Sequence, residues 1–156
     1  MDPNTNTREQ FTQKILSAPS PPASASPSWT ALATQLRALL EKLLYHDAMK
    51  RNLQQTYMTP ARDKNMVYFM WDFVGRTVAK LYQIDPSLSD DMPKQQKEEW
   101  TDVQGRATMA AMLILDVKSG MLDMQVQAAY PGMKGEKVEF GEEILGIARE
   151  IYKEES

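Results

Sequence analysis

The sequence predicts a mostly α protein: a helical bundle of about four helices behind a disordered N-terminal arm. Two observations carry this expectation. From Ser28 onward, apolar residues recur at steps of three and four, the signature of helices with one buried face. Between those stretches lie breaks rich in Pro, Gly, Ser or Asp: "SAPSPPASASPS" (17–28), "TPARD" (59–63), "DPSLSDDMP" (85–93) and "YPGMKGEK" (130–137).

Residues 1–27 read as a flexible arm. Within it "TREQFTQKIL" favours a short helix over 7–17, capped by Thr7, with Phe11, Ile15 and Leu16 on one side. The Pro/Ser stretch that follows cannot bury enough apolar surface to offset its ordering entropy, so it reads as a loose linker. As a tethered docking peptide, the arm would use Phe11, Ile15 and Leu16 as anchors.

Residues 28–156 read as a single helical domain. Its first helix is expected over 29–57, with Ser28 as N-cap. Trp29, Leu32, Leu36, Leu39 and Leu43 form its seam, which Leu40 and Leu44 widen. The next two beats fall on His46 and Lys50 before Leu53 and Tyr57 restore the pattern. A polar break of that kind lowers stability and can fix register.

Thr59 and Pro60 then supply a cap and a first helical residue for a second helix. Its inner face is Val67, Met70, Trp71, Val74, Val78 and Leu81, and its wet edge is Asp72, Arg76 and Lys80. Asp85-Pro86 ends it. A third helix opens at Pro93 behind Asp90 or Asp91 and carries Trp100, Val103, Ala107, Ala110, Ile114 and Val117 inward.

Beyond Thr108 the pattern has two solutions. Leu122, Met124, Val126 and Ala128 alternate with polar residues at strand period, so an α+β alternative places a hairpin within 112–140. Met, Leu, Ala and Gln are better helix formers, which favours helix over 121–130. A last helix starts at Glu142, with Ile144, Ile147 and Ile151 inward and an acidic first turn.

Composition closes off many chemistries. The chain has no Cys and one His, which removes disulfides, thiolate catalysis and Cys-based zinc sites. No phosphate-binding glycine loop and no nucleophile elbow occurs. Adjacent acids such as Glu98-Glu99 diverge on a helix, so they suit capping and solubility better than paired-carboxylate catalysis. No cofactor or metal is expected.

With no signal-peptide pattern and no apolar run long enough to span a bilayer, a cytoplasmic protein is expected, without membrane contact. Charge is split: residues 1–85 hold 10 basic and 7 acidic side chains, residues 86–156 hold 8 and 14. That modest dipole can steer a partner but is no nucleic-acid footprint.

The functional expectation is a non-enzymatic protein–protein interaction module of adaptor, chaperone-like or regulatory type. Its partner is another protein or a second copy of this chain, bound through an apolar helical surface rich in Met and Trp. Eleven Met and three Trp support it, because both side chains are enriched at adaptable interfaces. The expected partner-binding residues are Phe11, Ile15, Leu16, Leu43, His46, Lys50 and Leu53.

A second reading is a nucleic-acid-associated regulator whose turn at 50–64 offers Lys50, Arg51, Arg62 and Lys64 to phosphates. A third and least favoured one is a small enzyme using His46 as base.

Overall fold

The structure, a computed structural model, describes residues 3–57, 61–117 and 140–155, with side chains described over 9–45, 69–116 and 140–153. All regular structure among these residues is helical: α1 Pro3–Leu16, α2 Pro27–Tyr57, α3 Ala61–Leu81, α4 Lys94–Val117 and α5 Glu142–Glu155. The protein is mostly α. Residues 112–117 belong to α4, and the remainder of the helix-or-hairpin question at 118–139 lies outside the described residues.

α2 packs on α3, α3 on α4, α4 on α5, and α5 back on α2, closing a ring of four helices. α1 lies across α2 and α3. The core inside the ring follows the predicted spacing except on α5, where Leu145 and Ala148 are buried and Ile147 is only partly so. Leu36, Leu39, Leu40 and Leu43 of α2 have no exposed surface, and neither do Met70, Val74, Val78 and Leu81 of α3. α4 contributes Val103, Ala107, Ala110 and Ile114, and α5 contributes Ile144, Leu145, Ala148 and Ile151. Burying one such Leu or Ile stabilises by about 1.5–3 kcal/mol, which is why apolar periodicity dictates these faces. Ala107, Ala110 and Ala111 of α4, all fully buried, let its neighbours approach closely.

Within the ring, the starts of α2 and α4 differ from expectation. α2 begins at Pro27, one residue before the expected cap. The hydroxyl of Ser26 accepts the Ser28 amide at 3.3 Å, and the Ser26 carbonyl accepts the Thr30 amide. Ser26 is thus the N-cap, and Pro27 takes the first helical position, where its missing N–H is no loss. α4 begins at Lys94, with the Pro93 carbonyl accepting the Gln96 and Lys97 amides. Pro93 therefore stands just outside the helix. α5 starts at Glu142 as expected, its first turn closed by the Leu145 amide on the Gly141 carbonyl.

The α3–α4 connection is pinned at several points. The Asp85 carboxylate accepts both the amide and the hydroxyl of Ser87 at 3.0 Å. The Ser26 amide donates to the Pro86 carbonyl at 2.7 Å, tying this loop to the start of α2. Leu88 sits at φ 50°, a left-handed conformation that is costly for a γ-branched residue. Its side chain packs against the core, which holds it there.

The helix expected over 7–17 is present but runs Pro3–Leu16, so Thr7 lies inside it and is not its N-cap. From Glu9 on, its inner edge is seated on the bundle: Thr12 is fully buried and Ile15 nearly so. Residues 17–26, the Pro/Ser stretch, contain no regular secondary structure.

Candidate interaction surface

Three features give the outside of the bundle its chemical character. The first is the seat of α1. The Trp71 indole N–H of α3 donates to the Thr12 hydroxyl at 2.6 Å, and both residues are buried. One residue before Thr12, the Phe11 ring lies over Gly75, where an added Cβ would stand only 3.3 Å from the ring. At the end of α1, the Arg37 guanidinium donates to the Leu16 carbonyl at 2.7 Å, satisfying one of the acceptors a helix C-terminus leaves open.

Arg37 also reaches the phenol of Tyr82, whose ring stacks on Trp29 at a centroid distance of 5.7 Å. Trp29 in turn donates to the Leu81 carbonyl at 3.3 Å. Partial burial pushes the Tyr82 phenol above its usual value near 10, with Arg37 opposing.

The second feature is a cleft of about 960 Å³ along the outer side of α1. Glu9, Gln13 and Lys14 of α1 form one wall, and Glu41, Leu44 and Tyr45 of α2 form the other. Tyr45 is 65% exposed and Leu44 is partly buried, so α1 leaves part of the apolar α2 surface uncovered. Charges of both signs line the cleft, so it is not a polyanion site.

The third feature is the outer stripe of α4: Gly105, Met109 and Met112, at i, i+4 and i+7. Met109 is 53% exposed and Met112 45%. Gly105 is exposed, and a Cβ built there would meet nothing within 4 Å among the described residues.

Ion pairs brace the ring. Lys80 of α3 lies 3.5 Å from the Asp102 carboxylate of α4, which Arg106 also contacts at 2.9 Å. The Arg106 hydrogen bond, then the Arg106 and Lys80 charges, holds the Asp102 carboxyl below its ordinary range. Lys42 of α2 pairs with Glu143 of α5, raising the lysine and lowering the glutamate through their hydrogen bond and mutual charge. All these groups are solvent-exposed, where an ion pair contributes little.

The expected partner-binding residues separate. Leu43 is fully buried in the core and Ile15 is 7% exposed, so both are used inside the molecule. Leu16 is partly buried where α1 ends, and Phe11, 42% exposed, is the most accessible of the four. His46, Lys50 and Leu53 lie outside the residues with described side chains, as do Arg51, Arg62 and Lys64 of the basic turn.

Trp29 and Trp71 point inward with their indole N–H groups bonded, and Trp100 packs partly against the core. Trp29 and Trp71 are therefore absent from the exposed apolar surface, which among the described residues carries Met109 and Met112 beside Phe11, Tyr45 and Tyr152. The reason is size: a large aromatic gains most by burial, provided its N–H finds a partner.

Sequence reasoning passed over Thr12, Arg37 and Gly105. Thr12 stands three residues before Ile15 on the same helical face, a signal that was present. Gly105 interrupts an otherwise unbroken helical pattern, which is also visible.

Among the described residues, no group of three or more His, Asp or Glu could hold a metal ion. No described helix is long and apolar enough to cross a membrane. No protein-family model, no curated protein and no solved structure matches this chain.

Proposed function

We propose that the chain is a non-enzymatic protein-binding module, and that α4 presents its binding surface through Gly105, Met109 and Met112. One observation supports this above others: a mid-helix glycine that the fold does not need stands beside two exposed methionines. Glycine inside a helix costs roughly 0.5–1 kcal/mol relative to alanine. Ordinarily that cost is offset by a close contact that a Cβ would spoil. Among the described residues Gly105 has none. A partner backbone lying against α4 at Gly105 supplies the missing reason. Met109 and Met112 then supply flexible, polarizable side chains that repack against it.

Photo-crosslinking tests the reading. A photoreactive side chain is placed at Met109, at Met112 and, as a control, at exposed Lys97 on the first turn of α4. The reading expects a protein partner captured from 109 and 112, absent from 97, and lost after Gly105→Leu without a drop in melting temperature. Capture patterns that are the same from all three positions, or unaffected by Gly105→Leu, overturn it.

A further inference from the structure

We infer that α1 is a placeholder in a helix-receiving groove on α2 and α3, and that the groove's ligand is an amphipathic helix of another protein carrying an aromatic–Thr/Ser–x–x–aliphatic register. This surface is separate from the α4 stripe and does not depend on it. The register is read from the occupant itself. Phe11 covers Gly75, Thr12 accepts the Trp71 indole N–H, Ile15 enters the core, and Arg37 receives the carbonyl end of the helix. Each position answers a feature of the bundle. Gly75 leaves room for a ring, a buried N–H calls for a hydroxyl, and a guanidinium caps the last turn. Together these define an orientation and a register for a helical ligand.

Two observations make α1 a placeholder rather than a permanent part of the core. From Glu9 to Leu16, only Thr12 and Ile15 are buried, so the helix is held by few side chains. A helix of 14 residues is too short to be stable alone in water, so its order depends on that seat. It also does not fill the face it covers. The cleft beside it leaves Leu44 partly and Tyr45 largely exposed, because the α1 wall there is Glu9, Gln13 and Lys14. The same segment from a second copy would fill the groove no better. A helix with an apolar residue where α1 has Gln13 covers Leu44 and Tyr45 as well. It must outcompete a tethered rival whose effective concentration is of millimolar order, so the apparent affinity of a free ligand falls with the fraction of chain whose groove is open.

The test uses the full chain and a fluorescent peptide of residues 3–17 carrying Gln13→Leu. Wild-type chain is compared with the variant Phe11→Glu/Ile15→Glu, in which α1 should leave its seat. The expected result is at least about tenfold tighter peptide binding to the variant, and loss of that gain when the peptide also carries Thr12→Val. Equal binding to both chains, or none to a variant that keeps its cooperative melt, overturns the inference. Hydrogen exchange of the Trp71 indole N–H in the wild-type chain is a second measurement that needs no variant. Exchange much faster than that of the α2 and α3 core amides is expected. Exchange only through global unfolding would make α1 an integral part of the core and sink the inference.

Discussion

Thr12→Val isolates one atom of the α1 seat. Valine keeps the shape of threonine but replaces the hydroxyl that accepts the Trp71 indole N–H with a methyl group. The bond is short, 2.6 Å, and Thr12 has no exposed surface while Trp71 has 2%, so no water stands ready to replace the lost acceptor. Leaving a buried N–H without a partner costs about 1–3 kcal/mol. Thr12→Ser is the matched control. It keeps the hydroxyl and removes one methyl group, a loss of roughly 0.8 kcal/mol. The valine variant should therefore be the less stable of the two, although it buries more apolar surface. Hydrophobicity alone predicts the opposite order.

Urea unfolding followed by far-ultraviolet circular dichroism gives the free energies, and exchange of the Trp71 indole N–H reports the local event. The two readouts need not agree in size. Once the hydrogen bond is gone, α1 can leave its seat and wet the indole. The global loss then stops at whatever docking α1 is worth, while indole exchange rises to the rate of an unprotected indole. A valine variant as stable as wild type with a protected indole would refute this account. So would a serine variant that is damaged as much as the valine one.

The remaining predictions concern other parts of the molecule. Leu36→Ala empties a fully buried position in the middle of α2 and should cost about 2–5 kcal/mol in a urea melt, with an unchanged helical spectrum. Gly105→Ala should stabilise the chain by roughly 0.5–1 kcal/mol, since the new methyl meets nothing, and should weaken binding of any partner captured at Met109. The Lys42–Glu143 pair should add pH dependence at both ends. Glu143 is depressed, so its contribution is present above the unfolded carboxylate range and fades as acid titrates the folded state. Lys42 is raised, so its contribution is present below the unfolded lysine value near 10.5 and fades as pH rises through the folded one. Melts of Glu143→Gln across pH 3–11 should show both slopes reduced, roughly where the carboxylate and lysine reference values lie. Tyr82 should ionise above its ordinary value near 10, seen as a delayed absorbance rise on alkaline titration. Because its folded value is raised, stability is full below 10 and falls as pH climbs through the folded value. Tyr82→Phe should remove that fall.

The periodic core was legible because burial and spacing are one constraint seen twice. Trp29, Leu32, Leu36, Leu39 and Leu43 step along α2 at helical intervals, and all five are buried. The same holds for Met70 to Leu81 in α3 and Val103 to Ile114 in α4. Local chemistry was less legible, since it turns on single hydrogen bonds. Ser26 and Ser28 flank Pro27 and either could cap α2. Only the direction of the chain, fixed by the Ser26–Pro86 contact, selects Ser26. The methionines illustrate a different limit. Met70 is buried while Met109 and Met112 are exposed, although all three lie in apolar company in the sequence, and Met92 is buried from a loop with polar neighbours. Met is tolerated on either side of a helix, so its presence carries little directional information.

The seat of α1 was beyond periodicity for a further reason. α1 is mostly polar, and a stretch holding only Phe11, Ile15 and Leu16 as large apolar residues has no stripe strong enough to demand burial. What holds it is the need of the other side. Trp71 lies in the most apolar run of α3, "MVYFMW", where burial of the indole is favourable, and its buried N–H donates to the Thr12 hydroxyl. A buried donor requires an acceptor. Thr12 meets the requirement, with Phe11 immediately before it and Ile15 one turn after it. The arm is thus specified by the polar atom of a core aromatic rather than by its own hydrophobicity. Any other helix that brings a hydroxyl to the same point, with better apolar flanks, satisfies the same requirement.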